Sequence, residues 1–164
     1  MNHPNLPKHN PNATVFSVIE LLSLDSNVTE IIIDNGVSEP GLTELDLSRF
    51  PMLKRLVIGD HCLSYVERVK MVGMSELESV VVGENSCTKD KNSYNYESRN
   101  YFYLRNCPKI KSLKIGRYSF SDYTACIVSG VPSLEVIEMG DLNENSYNFV
   151  FASLELKSIL IMNM

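Results

Sequence analysis

Leu53-Lys54-Arg55-Leu56-Val57-Ile58-Gly59 recurs as Leu77-Glu78-Ser79-Val80-Val81-Val82-Gly83, as Ile110-Lys111-Ser112-Leu113-Lys114-Ile115-Gly116, and as Leu134-Glu135-Val136-Ile137-Glu138-Met139-Gly140. One seven-residue pattern, apolar at its first, fourth and sixth positions and closed by glycine, therefore returns four times. Weaker copies flank these, running from Val28 to Asp34 and from Leu156 to Ile161. The lead positions step by 25, 24, 33, 24 and 22 residues. A period of about two dozen residues is the mark of a stack of like coils, in which each coil buries its apolar side only against its neighbours. The expected fold is a β-rich repeat solenoid of about six coils over residues 28–164.

Within each copy the side chains alternate, so positions four and six face inward and position five faces out. The glycine that follows admits either a positive φ or a close approach to the adjacent coil. A second alternating pair precedes each copy: Leu45 and Leu47, Val69 and Met71, Phe102 and Leu104, Cys126 and Val128. Period two again means extended chain, so the side opposite the main sheet is expected to hold short strands rather than full helices. Pro51, Pro108 and Pro132 follow these pairs, with Ser75 in the same role once, and each breaks the ladder and turns the chain back.

Residues 1–13 hold Pro4, Pro7 and Pro11 among Asn and His and read as a mobile tail. From Thr14, the spacing of Val15, Val18, Ile19 and Leu22 predicts a short helix within a cap at 14–27, started by Asn12 or Thr14. Such a cap covers the apolar face that a terminal coil otherwise presents to water.

The 164 residues are 44% hydrophobic and 21% charged, an ordinary composition for one soluble domain. The formal net charge is −5, with 15 basic residues spread along the chain and outnumbered by 20 acidic ones. Phosphate neutralisation needs clustered Lys and Arg, so nucleic acid is excluded as the expected partner. No run of about 18 apolar residues exists, and the first ten residues lack the apolar stretch of a secretory signal. Together with unpaired cysteine spacing this favours a cytoplasmic chain, a trimmed ectodomain being the alternative.

Cys62, Cys87, Cys107 and Cys126 stand 25, 20 and 19 residues apart with no close pair, and His3, His9 and His61 add no partner spacing. Structural zinc takes close ligand pairs. The repeat register places Cys87 with Leu63 and Phe120, and Cys126 with Phe102 and Val69, so buried free thiols are expected and no metal or cofactor is called for. Catalytic motifs are missing: there is no G-x-S-x-G, H-E-x-x-H or phosphate loop. Asp60, His61 and Cys62 are adjacent in a turn and face different ways. The chain is expected not to be an enzyme.

LKRLVIG, LESVVVG, IKSLKIG and LEVIEMG, joined by FPMLKRL, CPKIKSL and VPSLEVI, resemble leucine-rich repeats over roughly residues 28–161. The stretch from Ile115 to Phe120, I-G-x-x-S-F, is most similar to the BspA-like subclass found in surface proteins of bacteria and protists. The resemblance implies a curved array with a parallel concave sheet that commonly binds protein. The asparagine that forms a ladder in many such repeats is present only at Asn85, its equivalents being His61, Tyr118 and Leu142.

Two candidate surfaces follow. The outward fifth positions, Ile32, Val57, Val81, Lys114, Glu138 and Leu160, form an apolar-to-charged strip on the concave sheet, fit for noncovalent recognition of a protein partner. The 33-residue step leaves an excess loop at 88–100, where Tyr94, Tyr96 and Arg99 are interface-anchoring types. At the second positions Thr29, Lys54, Glu78, Lys111, Glu135 and Lys157 alternate in charge, which is expected to pin the register of neighbouring coils. The alternative to a binding module is a structural or adhesive piece of a longer repeat protein, self-associating end to end through an uncapped C-terminal edge.

Overall fold

Apart from the first two, which lie side by side, strands alternate between two parallel sheets in the computed structural model, which describes residues 11–90 and 99–157. Sheet A comprises β1 (Asn12–Val15), β2 (Glu30–Ile33), β4 (Arg55–Ile58), β6 (Ser79–Val82), β8 (Ser112–Ile115) and β10 (Val136–Met139), side by side in that order. Sheet B comprises β3 (Glu44–Asp46), β5 (Arg68–Val72), β7 (Tyr101–Arg105), β9 (Ala125–Ser129) and β11 (Ser153–Lys157), also in chain order. From β2 onward, each crossing from A to B and back advances the chain by one strand in each sheet.

The register follows the sequence pattern. Ile31, Leu56, Val80, Leu113 and Ile137 are direct neighbours across sheet A, and Ile33, Ile58, Val82, Ile115 and Met139 form the next inward row. In sheet B, Leu45, Val69, Phe102, Cys126 and Leu154 face them, with Met71, Leu104, Val128 and Leu156 beside. Apart from Ile137, Leu154 and Leu156 at the last strands, these inward side chains belong to one continuous core. Full burial of each Val, Leu, Ile or Phe stabilises by about 1.5–3 kcal/mol, an upper range because unfolded chains already bury part of that surface. The C-terminal half of the core is aromatic: Phe102, Phe120, Tyr123 and Phe149 pack edge-on and stacked, with centroids 4.9–6.3 Å apart. The buried Tyr123 hydroxyl donates to the Val66 carbonyl at 2.6 Å, so its polar tip is satisfied inside.

Close approach, rather than positive φ, explains three of the recurring glycines. A Cβ on Gly116 would stand 2.5 Å from the Gly83 carbonyl carbon, and one on Gly83 would stand 2.7 Å from that of Gly59. Only Gly140 of the four has a positive φ, +69°. Just beyond these glycines the backbone turns through the left-handed region twice, one residue apart, at His61 and Leu63, Asn85 and Cys87, Tyr118 and Phe120, and Tyr147 and Phe149.

Several expectations need correction. Asn12 and Ala13, read as the end of a tail, begin β1, which pairs with β2 and adds a strand to sheet A. The helix, α1, is shorter than expected, Val18–Leu22, and starts at Ser17 rather than at Asn12 or Thr14. Ser17 Oγ accepts from the Glu20 N–H at 3.1 Å while Glu20 Oε2 accepts from the Phe16 N–H at 2.7 Å, a reciprocal cap. Val18 and Leu21 enter the core, whereas Val15 belongs to the strand. Leu47 is buried but lies in a 3-10 turn, Leu47–Arg49, because Asp46 caps it by accepting from the Ser48 N–H at 3.0 Å.

Thr88, assigned to the excess loop, is instead part of the packed body: its hydroxyl donates to the Tyr118 carbonyl at 2.7 Å and accepts from the Ser121 N–H at 3.1 Å. The last sequence copy also changes place. Leu156 and Lys157 lie on β11 in sheet B, paired with Val128 and Ser129, rather than opening a sixth copy in sheet A.

Candidate interaction surface

The outward face of sheet A carries two rows set by period two. One is Glu30, Arg55, Ser79, Ser112 and Val136; the other is Ile32, Val57, Val81, Lys114 and Glu138, in direct register. Ile32, Val57 and Val81 are half-buried by their neighbours, and Lys114 and Glu138 are exposed. Lys114 Nζ sits 3.3 Å from Glu138 Oε2, and Arg55 Nη1 sits 2.6 Å from Glu30 Oε2. The strip is thus β-branched and stiff at Ile32, Val57 and Val81, with one charge pair at its β8–β10 end and another beside it on β2 and β4. Stiff side chains lose little rotamer freedom on contact, which lowers the cost of binding there.

Thr14, on β1, extends this row beside Ile32 and was not among the sequence candidates. Its signal was weak: four residues of alternating type, without a leading Leu. Leu160, Tyr94 and Tyr96 lie outside the described residues. Arg99 is exposed just ahead of β7.

The alternating charges at the second positions do stand in a row, because Glu78 donates its N–H to the Lys54 carbonyl, Lys111 to that of Glu78, and Glu135 to that of Lys111. Their side chains, however, form no ion pair with one another among the described residues. They sit at the strand entrances, exposed to water, where two long side chains gain too little from pairing to be held. Lys157 leaves the row altogether and pairs with Glu155 on β11 at 3.0 Å. Pairing appears elsewhere. Glu44 on sheet B binds Arg68 and Lys70, both at 2.9 Å, and their side-chain hydrogen bonds hold its carboxyl below the usual range.

The turns after the sheet A strands are held by a ladder of small polar residues, which in three turns lie one position beyond the column of His61, Asn85 and Tyr118. Ser119 Oγ accepts from the Ser86 N–H at 2.9 Å and donates to the Gly83 carbonyl at 2.6 Å. Ser86 Oγ repeats this one step back, at 3.0 Å from the Cys62 N–H and 2.7 Å from the Gly59 carbonyl. Cys62 Sγ reaches the Asp34 carbonyl at 3.0 Å, and Asn148 Nδ2 closes the series on the Gly116 and Ser119 carbonyls at 2.8 and 3.0 Å. Asn85 is not a rung; its Oδ1 is buried without a hydrogen-bond partner. Nor is Leu142 its equivalent. Tyr118 donates its N–H to the Ser146 carbonyl as Asn85 does to that of Arg117, so residues 141–145 are a bulge and Tyr147 takes the equivalent position.

All four cysteines are free and buried. Burial pushes the Cys126 thiol up to about 12, and the Cys87 thiol higher still, because neither thiolate has water or a cation to stabilise it. No group of three His, Cys, Asp or Glu among the described residues is placed to hold a metal ion, and no described helix is long and apolar enough to cross a membrane. Compared with protein-family models, with curated proteins and with solved structures, the chain finds no match.

Proposed function

We propose that this chain is a noncovalent protein-interaction module, built as a leucine-rich-repeat-like solenoid of the BspA-like type, whose partner docks on the outward face of sheet A. The observation that carries the reading is the strip itself. Ile32, Val57 and Val81 stand in register on three adjacent strands, and the charges of Lys114 and Glu138 follow directly. A row of rigid apolar side chains bounded by charge offers a partner both a desolvated contact and an orienting end. Binding of this kind needs no cofactor and no catalytic group.

Partner capture from the native source, with the native chain and a Val57→Glu/Val81→Glu variant as baits, tests this. The variant is expected to lose the partner while remaining folded with a modestly lower Tm, since both positions lie on the outward face but are half-buried and place two like charges in register. Equal capture by both baits ends the proposal for this face. A chain lacking residues 89–99 isolates any share of the inserted loop.

A structural or adhesive role is the second reading, favoured by Leu154 and Leu156. Both point inward yet are 56% and 54% exposed, so β11 offers an apolar face to a further strand. Sedimentation separates the two: a concentration-dependent array supports the adhesive role, and a monomer at all concentrations supports the self-contained binder.

A further inference from the structure

The two outer faces of the stack differ in how their charges are matched. On sheet A the outward cations and anions pair one to one, Arg55 with Glu30 and Lys114 with Glu138. On sheet B, alternation sends Arg68, Lys70 and Val72 of β5 and Tyr101, Tyr103 and Arg105 of β7 outward, while Val69, Met71, Phe102 and Leu104 turn inward and are buried. The two strands are neighbours, and neither contains an acid.

Pairing leaves these cations in excess. Arg68 and Lys70 share a single carboxylate, Glu44 on β3, each at 2.9 Å. Asp46, the other acid of β3, stands in register with Lys70 but accepts from the Ser48 N–H at 3.0 Å. Arg105 is exposed and has no carboxylate partner among the described residues; its Nε donates to Ser129 Oγ at 3.4 Å. Glu155 of β11, the remaining acid at an outward position of this sheet, is paired with Lys157 at 3.0 Å.

Aromatic surface lies among the charges. The Tyr101 and Tyr103 rings stack with centroids 4.1 Å apart, and Lys70 Nζ stands 5.9 Å from the first ring as the Arg105 guanidinium does from the second. Val72 is 38% exposed, and Ile127 on β9, in register with Tyr103, is half-buried, so apolar area continues across the strands. Tyrosine and arginine are the side chains that most often anchor protein interfaces. A cation beside a ring face is held by the ring's quadrupole, which keeps both in place for a partner.

The complement of this face is anionic and extended. Outward residues on one strand stand about 6.6 Å apart, two rises of about 3.3 Å, which is also the spacing of side chains along one face of an extended peptide. Carboxylates on such a segment reach Arg105 and the pair Arg68 and Lys70, and an apolar side chain between them rests on the tyrosines. A nucleic acid fits less well, because its phosphates need many clustered cations and the chain as a whole carries a net charge of −5. We propose that the outward face of β5 and β7 is a second docking surface, which takes an acidic, extended segment of a partner protein bearing an apolar or aromatic residue among its carboxylates.

The test immobilises the full chain, selects from a displayed library of random dodecapeptides, and titrates the resynthesised winners by fluorescence anisotropy. Winners rich in Asp and Glu, each with an apolar or aromatic residue, are the expected result. Their binding is expected to weaken as salt is raised, and to fall about tenfold or more in Arg105→Glu. Arg105→Lys keeps the charge and is expected to retain most of it. Tyr103→Ser gives a second test should Arg105→Glu fail to fold, with the same loss expected. The Val57→Glu/Val81→Glu variant is expected to bind these peptides as the native chain does, so this proposal and the sheet A reading fail separately. Four outcomes would overturn it: no saturable winner, winners without an acidic excess, equal binding by the native chain and Arg105→Glu, or tighter binding of an oligothymidylate than of any winner. Self-association in sedimentation that Arg105→Glu abolishes would overturn it as well, since the occupant would then be a second copy.

Discussion

The middle and the C-terminal end of the stack use one side-chain pattern and reach different states. Cys126 and Val128 on β9 are sealed, at 0% and 1% exposure, between β7 on one side and β11 on the other. Leu154 and Leu156 on β11 are their direct neighbours in register and point the same way, yet stay more than half exposed. Period-two alternation decides the direction of a side chain, while burial also requires cover beyond its strand: Val15 and Leu45 lie on the edge strands β1 and β3 yet are 1% and 5% exposed, whereas the two leucines of β11 lack such cover. In a stack, an inward position is only as buried as its second neighbour makes it.

Thiol chemistry reads the sealed side of this comparison with the largest expected contrast. Burial raises the Cys126 pKa from an ordinary 9.0 to about 12, so the thiolate fraction near pH 8 falls roughly a thousandfold. Iodoacetamide is expected to leave the native chain almost unmodified at pH 8 and to label it readily in denaturant. Fast labelling of the native chain would mean that the middle opens as freely as the end. The same shift fixes a sign: the unfolded chain releases the thiol proton first, so stability is full below about pH 9 and is lost as pH rises toward 12.

Within the sealed middle, Leu113→Ala removes a fully buried side chain with β6 and β10 on either side. The expected cost is about 2–5 kcal/mol, read as a fall in the urea midpoint at unchanged slope. A loss below about 1 kcal/mol would indicate that the rows are loosely packed.

The inward rows were legible from sequence because a copy-to-copy step of about 24 residues and an alternation of two residues leave only one register in which every apolar side chain meets another. What escaped had no such redundancy. β1 is a single stretch, Asn12–Val15, without the leading Leu, and the helix signal that follows obscured it; Ser17-x-x-Glu20 was the available clue to the true start. The ladder was misplaced because Asn85 resembles the residue that serves in many leucine-rich repeats. Here the left-handed backbone at Asn85 leaves the adjoining carbonyls and N–H groups to the next residue, and the column Cys62, Ser86 and Ser119 was the signal. The apolar strip could be read by alternation alone, since position five must face outward. The place of Tyr147 in the turn column could not, because it depends on residues 141–145 being extra, which only the Tyr118–Ser146 hydrogen bond makes visible.

The ladder supplies a sharper contrast of intermediate size. Ser119→Ala leaves the buried Ser86 N–H without its acceptor and the Gly83 carbonyl without the serine donor. An unsatisfied buried group costs about 1–3 kcal/mol, so a midpoint shift smaller than that of Leu113→Ala is expected. Ser119→Cys retains a weak donor and acceptor at a position that Cys62 already fills two copies earlier, and it is expected to recover part of the loss. Failure of the cysteine to recover any stability would show that volume, not hydrogen bonding, decides the turn.

The smallest effect belongs to the open end. Leu154→Ala deletes a side chain already 56% exposed, so less than half of its transfer free energy is at stake and no closed cavity remains behind. About 1 kcal/mol or less is expected. Measured against Leu113→Ala under the same conditions, the ratio of the two losses reports how much of each inward residue is sealed by its second flank. A Leu154→Ala loss as large as that of Leu113→Ala would require a covering strand on β11 in solution, and sedimentation would then show whether a second copy of the chain supplies it.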